Sequence, residues 1–108
     1  MLFIVIEHFK SPEACAEGYQ RFAERGRMLP DGLNYIDSWV EQNFNRCFQL
    51  METDQPVLFD RWIECWSDLV DFEVIRVTNS AAAAKVAKSE LATDDTDQKW
   101  FTEVTDDL

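Results

Sequence analysis

Residues 38–52 read SWVEQNFNRCFQLME. Two runs of strand-forming residues flank the short polar break Asn43-Phe44-Asn45. That arrangement predicts a β-hairpin, with strands over residues 34–42 and 46–53. If residue 36 faces residue 52, Ile36, Val40, Phe48 and Leu50 share one face. Tyr35, Asp37, Trp39, Cys47, Gln49 and Met51 then share the other. A slip of one residue mixes polar and apolar groups on both faces, which favours this register.

Working outward from the hairpin, residues 2–9, LFIVIEHF, are β-branched and aromatic and predict a first strand. Ser11 and Pro12 supply an N-cap and a first-turn proline. A helix over residues 12–28 follows, with Cys15, Tyr19, Phe22, Ala23 and Gly26 on one stripe. Leu29-Pro30-Asp31-Gly32 ends it in a turn. Beyond the hairpin, Asp54 is placed to cap a second helix with Pro56 in its first turn. Leu58, Trp62, Cys65, Trp66 and Leu69 mark its apolar stripe. Residues 71–78, DFEVIRVT, predict a fourth strand, and Asn79 or Ser80 starts an alanine-rich helix, SAAAAKVAKSEL. The order is βαββαβ plus a C-terminal helix. Two right-handed crossovers place both central helices on one side of one antiparallel sheet, an α+β ferredoxin-like sandwich.

The chain has 108 residues, 46% of them hydrophobic, enough for one domain that folds without metal or disulfide. The domain is expected over residues 1–92. Residues 93–108 carry six carboxylates, Asp94, Asp95, Asp97, Glu103, Asp106 and Asp107, against one lysine, and read as a mobile acidic tail. Trp100 and Phe101 stand inside that acidic run, as a docking element or as part of a disordered segment. Cys15, Cys47 and Cys65 form no CxxC pair and are odd in number. The apolar start MLFIVIEHF has no basic region before it. Together these predict reduced thiols in a cytoplasmic protein. The net charge of −11 argues against nucleic acid and against anionic membrane surfaces. No His, Cys or Asp grouping has metal-ligand spacing, so neither a metal nor another cofactor is expected.

Two helices cover one face of a sheet. The other face is expected to carry Phe3, Val5, Trp39 and Met51, an apolar patch larger than soluble monomers usually show. A second copy related by a two-fold axis is the simplest cover, and two such sheets face to face form a dimeric α/β barrel with a shared lumen. Glu7, Asp37 and Gln49, joined by Glu73 or Arg76, are expected to point into that lumen. A part-polar, part-aromatic cavity of that kind suits a small organic ligand.

Three stretches carry a family likeness: GRMLPDGLNYIDSWV at residues 26–40, RCFQLMETD at 46–54 and WIECWSDLVDFEVIRV at 62–77. With them, from about Met1 to Ala84, the chain resembles a family of short bacterial proteins classed as a domain of unknown function. That resemblance implies the dimeric α/β-barrel fold and a homodimer. It implies no reaction. The wider superfamily includes cofactor-free monooxygenases, isomerases and heme enzymes, which are similar in fold only.

Each candidate residue has a bland reading beside the functional one. Trp39 either stacks on a planar ligand or packs against its two-fold mate. Cys47 is a nucleophile if Arg46 favours its thiolate, but strand neighbours point to opposite faces, and a buried unreactive thiol is the simpler reading. Glu7, Asp37 and Glu73 form a proton-transfer set or structural ion pairs. His8, expected on the helix side of β1, is a base or a hydrogen-bonded boundary residue. Arg27 holds an anion or satisfies carbonyls at the end of the first helix. Trp62 and Trp66 read as core. The leading expectation is a homodimer that binds a small organic molecule. Its rivals are an interaction protein with a filled lumen and a cofactor-independent monooxygenase or isomerase.

Overall fold

Ser11 stops the first strand and starts the first helix through one hydrogen bond, its Oγ accepting from the Ala14 N–H at 3.0 Å. The structure, a computed structural model, describes residues 1–91. Its elements are β1 (Leu2–Phe9), α1 (Pro12–Arg25), β2 (Asn34–Val40), β3 (Arg46–Glu52), α2 (Leu58–Glu64), β4 (Val70–Val77) and α3 (Ser80–Leu91). The four strands form one sheet in the order β2-β3-β1-β4, with every neighbouring pair antiparallel. This is the expected α+β ferredoxin-like sandwich. Met1–Val77 forms one unit, and α3 belongs to a second that begins at Thr78. Asn79, the expected start of α3, caps it by accepting from the Ala82 N–H at 2.7 Å. The acidic segment 93–108, with Trp100 and Phe101, lies outside the described residues. Among the described residues, no helix is long and apolar enough to cross a membrane.

Both α1 and α2 pack on the sheet face that carries the odd-numbered residues of β1. Phe3, Val5 and Met51 are buried there against Leu58, Phe59, Trp62 and Trp66. Phe9 and Phe72 pack on that face against Ala14, Leu69 and Val70. This reverses the expected phase of β1 and β3: Phe3, Val5 and Met51 belong to the core under the helices. Every position from Leu2 to Ile6 is apolar, so alternation along β1 could not decide which set faces the helices.

The hairpin differs in register. Asn34 pairs with Glu52 and Tyr35 with Met51, but Asp37 then pairs with Leu50 and Trp39 with Phe48. The shift between Tyr35 and Asp37 is a β-bulge around Ile36, which turns the rest of β2 over. Ser38 and Val40 therefore join Gln49 and Cys47 on the covered face, whereas Asp37 and Trp39 join Leu50 and Phe48 on the other. The loop after β2 is held by Asn43, whose Oδ1 accepts from the Asn45 N–H at 3.0 Å, with Phe44 in the left-handed region at φ 63°.

The second helix is shorter than its apolar stripe, and Asp54 does not cap it. Val57 stands at its N-cap without a side-chain hydrogen bond. Residues beyond Glu64 continue as turns, with Trp66 bonded to the Ile63 carbonyl and Val70 to that of Trp66. That keeps Trp66 and Leu69 buried. Arg21 ties α1 to this turn, making two hydrogen bonds to the Asp68 carboxylate at 2.8 and 2.7 Å and one to the Cys65 carbonyl at 2.9 Å. The phase assignment is tested by Met51→Ala. Met51 is fully buried, so the variant is expected to lose about 2–5 kcal/mol in urea unfolding.

Candidate functional site

The segment from α1 to β2 makes a sharp turn at Gly26, φ 67°, and Met28, φ 58°. Two left-handed residues flanking Arg27 set its carbonyl and its side chain in different directions. The carbonyl oxygen accepts from both tryptophans of the second helical segment, from Trp62 Nε1 at 2.9 Å and from Trp66 Nε1 at 3.1 Å. A buried indole N–H needs an acceptor, and here one carbonyl serves two. The guanidinium stacks on the Tyr35 ring, 3.5 Å from its centroid, and lies 5.0 Å from that of Phe22. Among the described residues, no carboxylate forms an ion pair with Arg27.

This side chain lines a cavity of about 170 Å3 between α1, Trp62 of α2 with Trp66 of the turn after it, and the covered face of the sheet. Glu7, Cys47, Gln49 and Ser38 supply its polar wall, and Tyr19, Phe22, Trp62 and Trp66 much of its aromatic wall. Gly18 on α1 also lines it, and a Cβ there would come within 3.1 Å of the Phe9 ring, so glycine permits the close approach of α1 to β1.

Glu7 and Cys47 are cross-strand partners. The Gln49 Nε2 donates to Glu7 Oε1 at 2.7 Å, while Gln49 Oε1 is buried with no hydrogen-bond partner among the described residues. Burial pushes the Glu7 carboxyl from its ordinary 4.5 up to about 7, an effect only partly offset by the charge of Arg27 and by hydrogen bonds from Gln49 and Cys47. Burial, then the Glu7 charge, pushes the Cys47 thiol up to about 12. It is a protonated wall of the cavity, not a nucleophile near neutral pH. Arg46 gives it no help: Arg46 points to the opposite face, paired with Glu41 at 2.8 Å. Tyr35 and Ser38 hydroxyls bond each other at 2.7 Å beside this group.

Of the seven side chains singled out in the sequence, Glu7, Cys47, Gln49 and Arg27 thus meet at one cavity. Asp37, Trp39 and Glu73 do not. Glu73 is on the face away from α1 and α2, bonded to His8 Nε2 at 3.0 Å, so His8 is not on the helix side as expected. Asp37 accepts from the Ser38 N–H at 2.8 Å, and Trp39 is 54% exposed. The expected set of three carboxylates is therefore divided between two faces. Ser38, Tyr19 and Phe22 were not singled out as lining residues, and Trp62 and Trp66 read only as core. The indole N–H groups, which must find acceptors when buried, were the legible signal for the last two. Among the described residues, no three His, Cys, Asp or Glu side chains gather as a metal site.

The chain belongs to the family described as a domain of unknown function (DUF3303), whose model matches residues 1–91. Among curated proteins, none matches. Among solved structures it is similar to a protein from Deinococcus radiodurans assigned to the antibiotic biosynthesis monooxygenases, at 11% identity and a TM-score of 0.45, covering 74% of this chain and 95% of that one. It is also similar to an antibiotic biosynthesis monooxygenase at 19% identity and a TM-score of 0.43, covering 73% of this chain and all of that one.

The raised Glu7 carboxyl makes stability pH-dependent. Between pH 4.5 and about 7 the folded chain keeps a proton that the unfolded chain has lost, so this group's contribution falls as pH rises through that window. Glu7→Gln abolishes the effect. Measured by urea unfolding at pH 4.5 and pH 8, the variant should gain on the order of 3 kcal/mol relative to the parent.

Proposed function

We propose that this chain binds a small organic molecule in the cavity between its sheet and helices, and that Glu7 exchanges a proton or a hydrogen bond with it. One observation carries this reading: a buried carboxyl lines a cavity whose walls are mostly apolar and aromatic, and that burial pushes it up to about 7. A group poised there gives and takes protons near neutral pH. The buried Gln49 Oε1 accepts from no donor among the described residues, and a ligand or a water would supply one. Proton transfer by Glu7 is a first step open to isomerisation and to cofactor-independent oxygenation. The cavity lies within one chain, so binding needs no lumen between subunits. It also favours ligand binding over a purely structural role with a solid interior.

Indole, a small aromatic probe with one donor, tests this. In 15N-edited NMR spectra, saturable shifts should centre on the amides of Glu7, Tyr19, Cys47 and Gln49. Cys47→Phe and Val40→Phe, which fill the cavity from floor and rim, should each weaken binding at least tenfold. Shifts that never saturate, or that ignore both variants while they remain folded, would remove the binding function.

We further propose a homodimer through the sheet face turned away from α1 and α2. Ile4, Ile6, Phe48, Leu50, Trp39 and Ile75 share that face, and Trp39 and Ile75 are 54% and 43% exposed. An apolar face of this kind marks an interface. Arg46 stands on it with Glu73 and Asp37, so a two-fold axis can oppose unlike charges. Light scattering after size exclusion should give twice the 12.6 kDa of one chain. Trp39→Glu should halve it, and a parent already at one chain's mass would exclude the dimer.

A further inference from the structure

Among the described residues lining the cavity, Arg27 is the only cation and Glu7 the only carboxylate. Their charges act on each other, yet they form no ion pair. Each is anchored elsewhere. Gln49 holds one oxygen of Glu7. The guanidinium of Arg27 is supported from its flat side by Tyr35, while the two tryptophans fix its backbone. A guanidinium stacked through its face keeps its N–H edge for a planar acceptor, and a carboxylate matches that fork with two parallel hydrogen bonds. With 21 acidic residues against 10 basic ones, the chain's overall field repels anions. A cation at an apolar cavity that pairs with no carboxylate among the described residues is therefore a local exception to the charge of the molecule.

We propose that the cavity takes the carboxylate of a small apolar acid, held between the Arg27 guanidinium and the protonated carboxyl group of Glu7. This rests on the reading that the cavity binds a small organic molecule, and it names the chemical class. Arg27 supplies the charge and two donors. Glu7 supplies a third donor, from its oxygen not bonded to Gln49, and Phe9, Phe22, Val40 and Val70 enclose the apolar body. Two carboxylates cannot share this space unless one carries a proton. Glu7 is the group that carries it, because a bound anion favours its neutral form still further.

The groups facing Glu7 leave its titration in control. Cys47 and Gln49 approach from β3, Phe72 from β4, Ser38 from β2, Tyr19 from α1 and the two tryptophans from the α2 segment. Burial raises the Tyr19 hydroxyl above its ordinary 10.0 and the Cys47 thiol to about 12, so both stay neutral through the range that matters. His8 is on the other side of the sheet, beside Glu73. Affinity for an anion should therefore be flat below about pH 7 and fall about tenfold per pH unit above it.

The test compares benzoate with its neutral isostere benzamide by titration calorimetry on the full chain, at pH 6, 7, 8 and 9, with indole as the reference probe. The expected result is benzoate at least tenfold tighter than benzamide at pH 6, with that advantage lost at high pH. Arg27→Gln should bring the two ligands to equal affinity, and Arg27→Lys should restore part of the difference. Glu7→Gln, whose amide donates at every pH, should bind benzoate with no pH dependence between 6 and 9. Near-UV circular dichroism checks that each variant keeps its fold. Equal affinities for benzoate and benzamide in the parent, or an undiminished preference in folded Arg27→Gln, overturn the carboxylate assignment while indole binding keeps the cavity reading. Failure of the parent to bind any of the three overturns both.

Discussion

Two indole N–H groups converge on one carbonyl oxygen, that of Arg27, and much of the molecule depends on that convergence. Tryptophan brings a large apolar area and one donor that must not be left unpaired in the interior. With Trp62 and Trp66 one helical turn apart on the same side of the second helical segment, both donors emerge at nearly the same place. The chain meets them with a backbone carbonyl in a turn whose two left-handed residues, Gly26 and Met28, aim it inward. The constraint fixes the α1–β2 connection against the core, and so fixes where the Arg27 side chain begins its path to the cavity.

A second constraint is the desolvation of Glu7. β1 is almost wholly apolar, and its one carboxyl on the covered face lies deep enough that ionisation is resisted until about neutral pH. Gln49 and Arg27 each favour the charged form but do not overcome burial. That opposition lets the group hold a proton near neutral pH, as a fully solvated or fully paired carboxylate would not. The cavity and the carboxyl thus arise together: α1 comes close to β1 at Gly18 but leaves unfilled space above Glu7, Cys47 and Gln49.

The two faces of the sheet divide the polar residues into separate systems. On the covered side Glu7, Gln49, Cys47 and Arg27 form one electrostatic group. On the far side His8 hydrogen-bonds Glu73 and Arg46 pairs with Glu41, surface contacts of the kind that add little to stability. Neighbouring residues such as Arg46 and Cys47 belong to different systems although they are adjacent in the chain.

The order of elements, the Ser11 and Asn79 caps, the hairpin and the fold class were legible in the amino-acid sequence, because each rests on local periodicity and capping chemistry. Glu7, Cys47, Gln49 and Arg27 stood out there as polar groups among apolar strand and turn residues, and the fold brings these four to one cavity. Which face each strand turns toward the helices was decided only by the tertiary structure. β1 is apolar at both phases, so its alternation is silent, and the bulge at Ile36 reverses half of β2 without any glycine or proline to announce it. The side of the sheet on which the cavity lies follows from that choice, since burial of Phe3, Val5 and Met51 against the helices carries Glu7 and Gln49 with them.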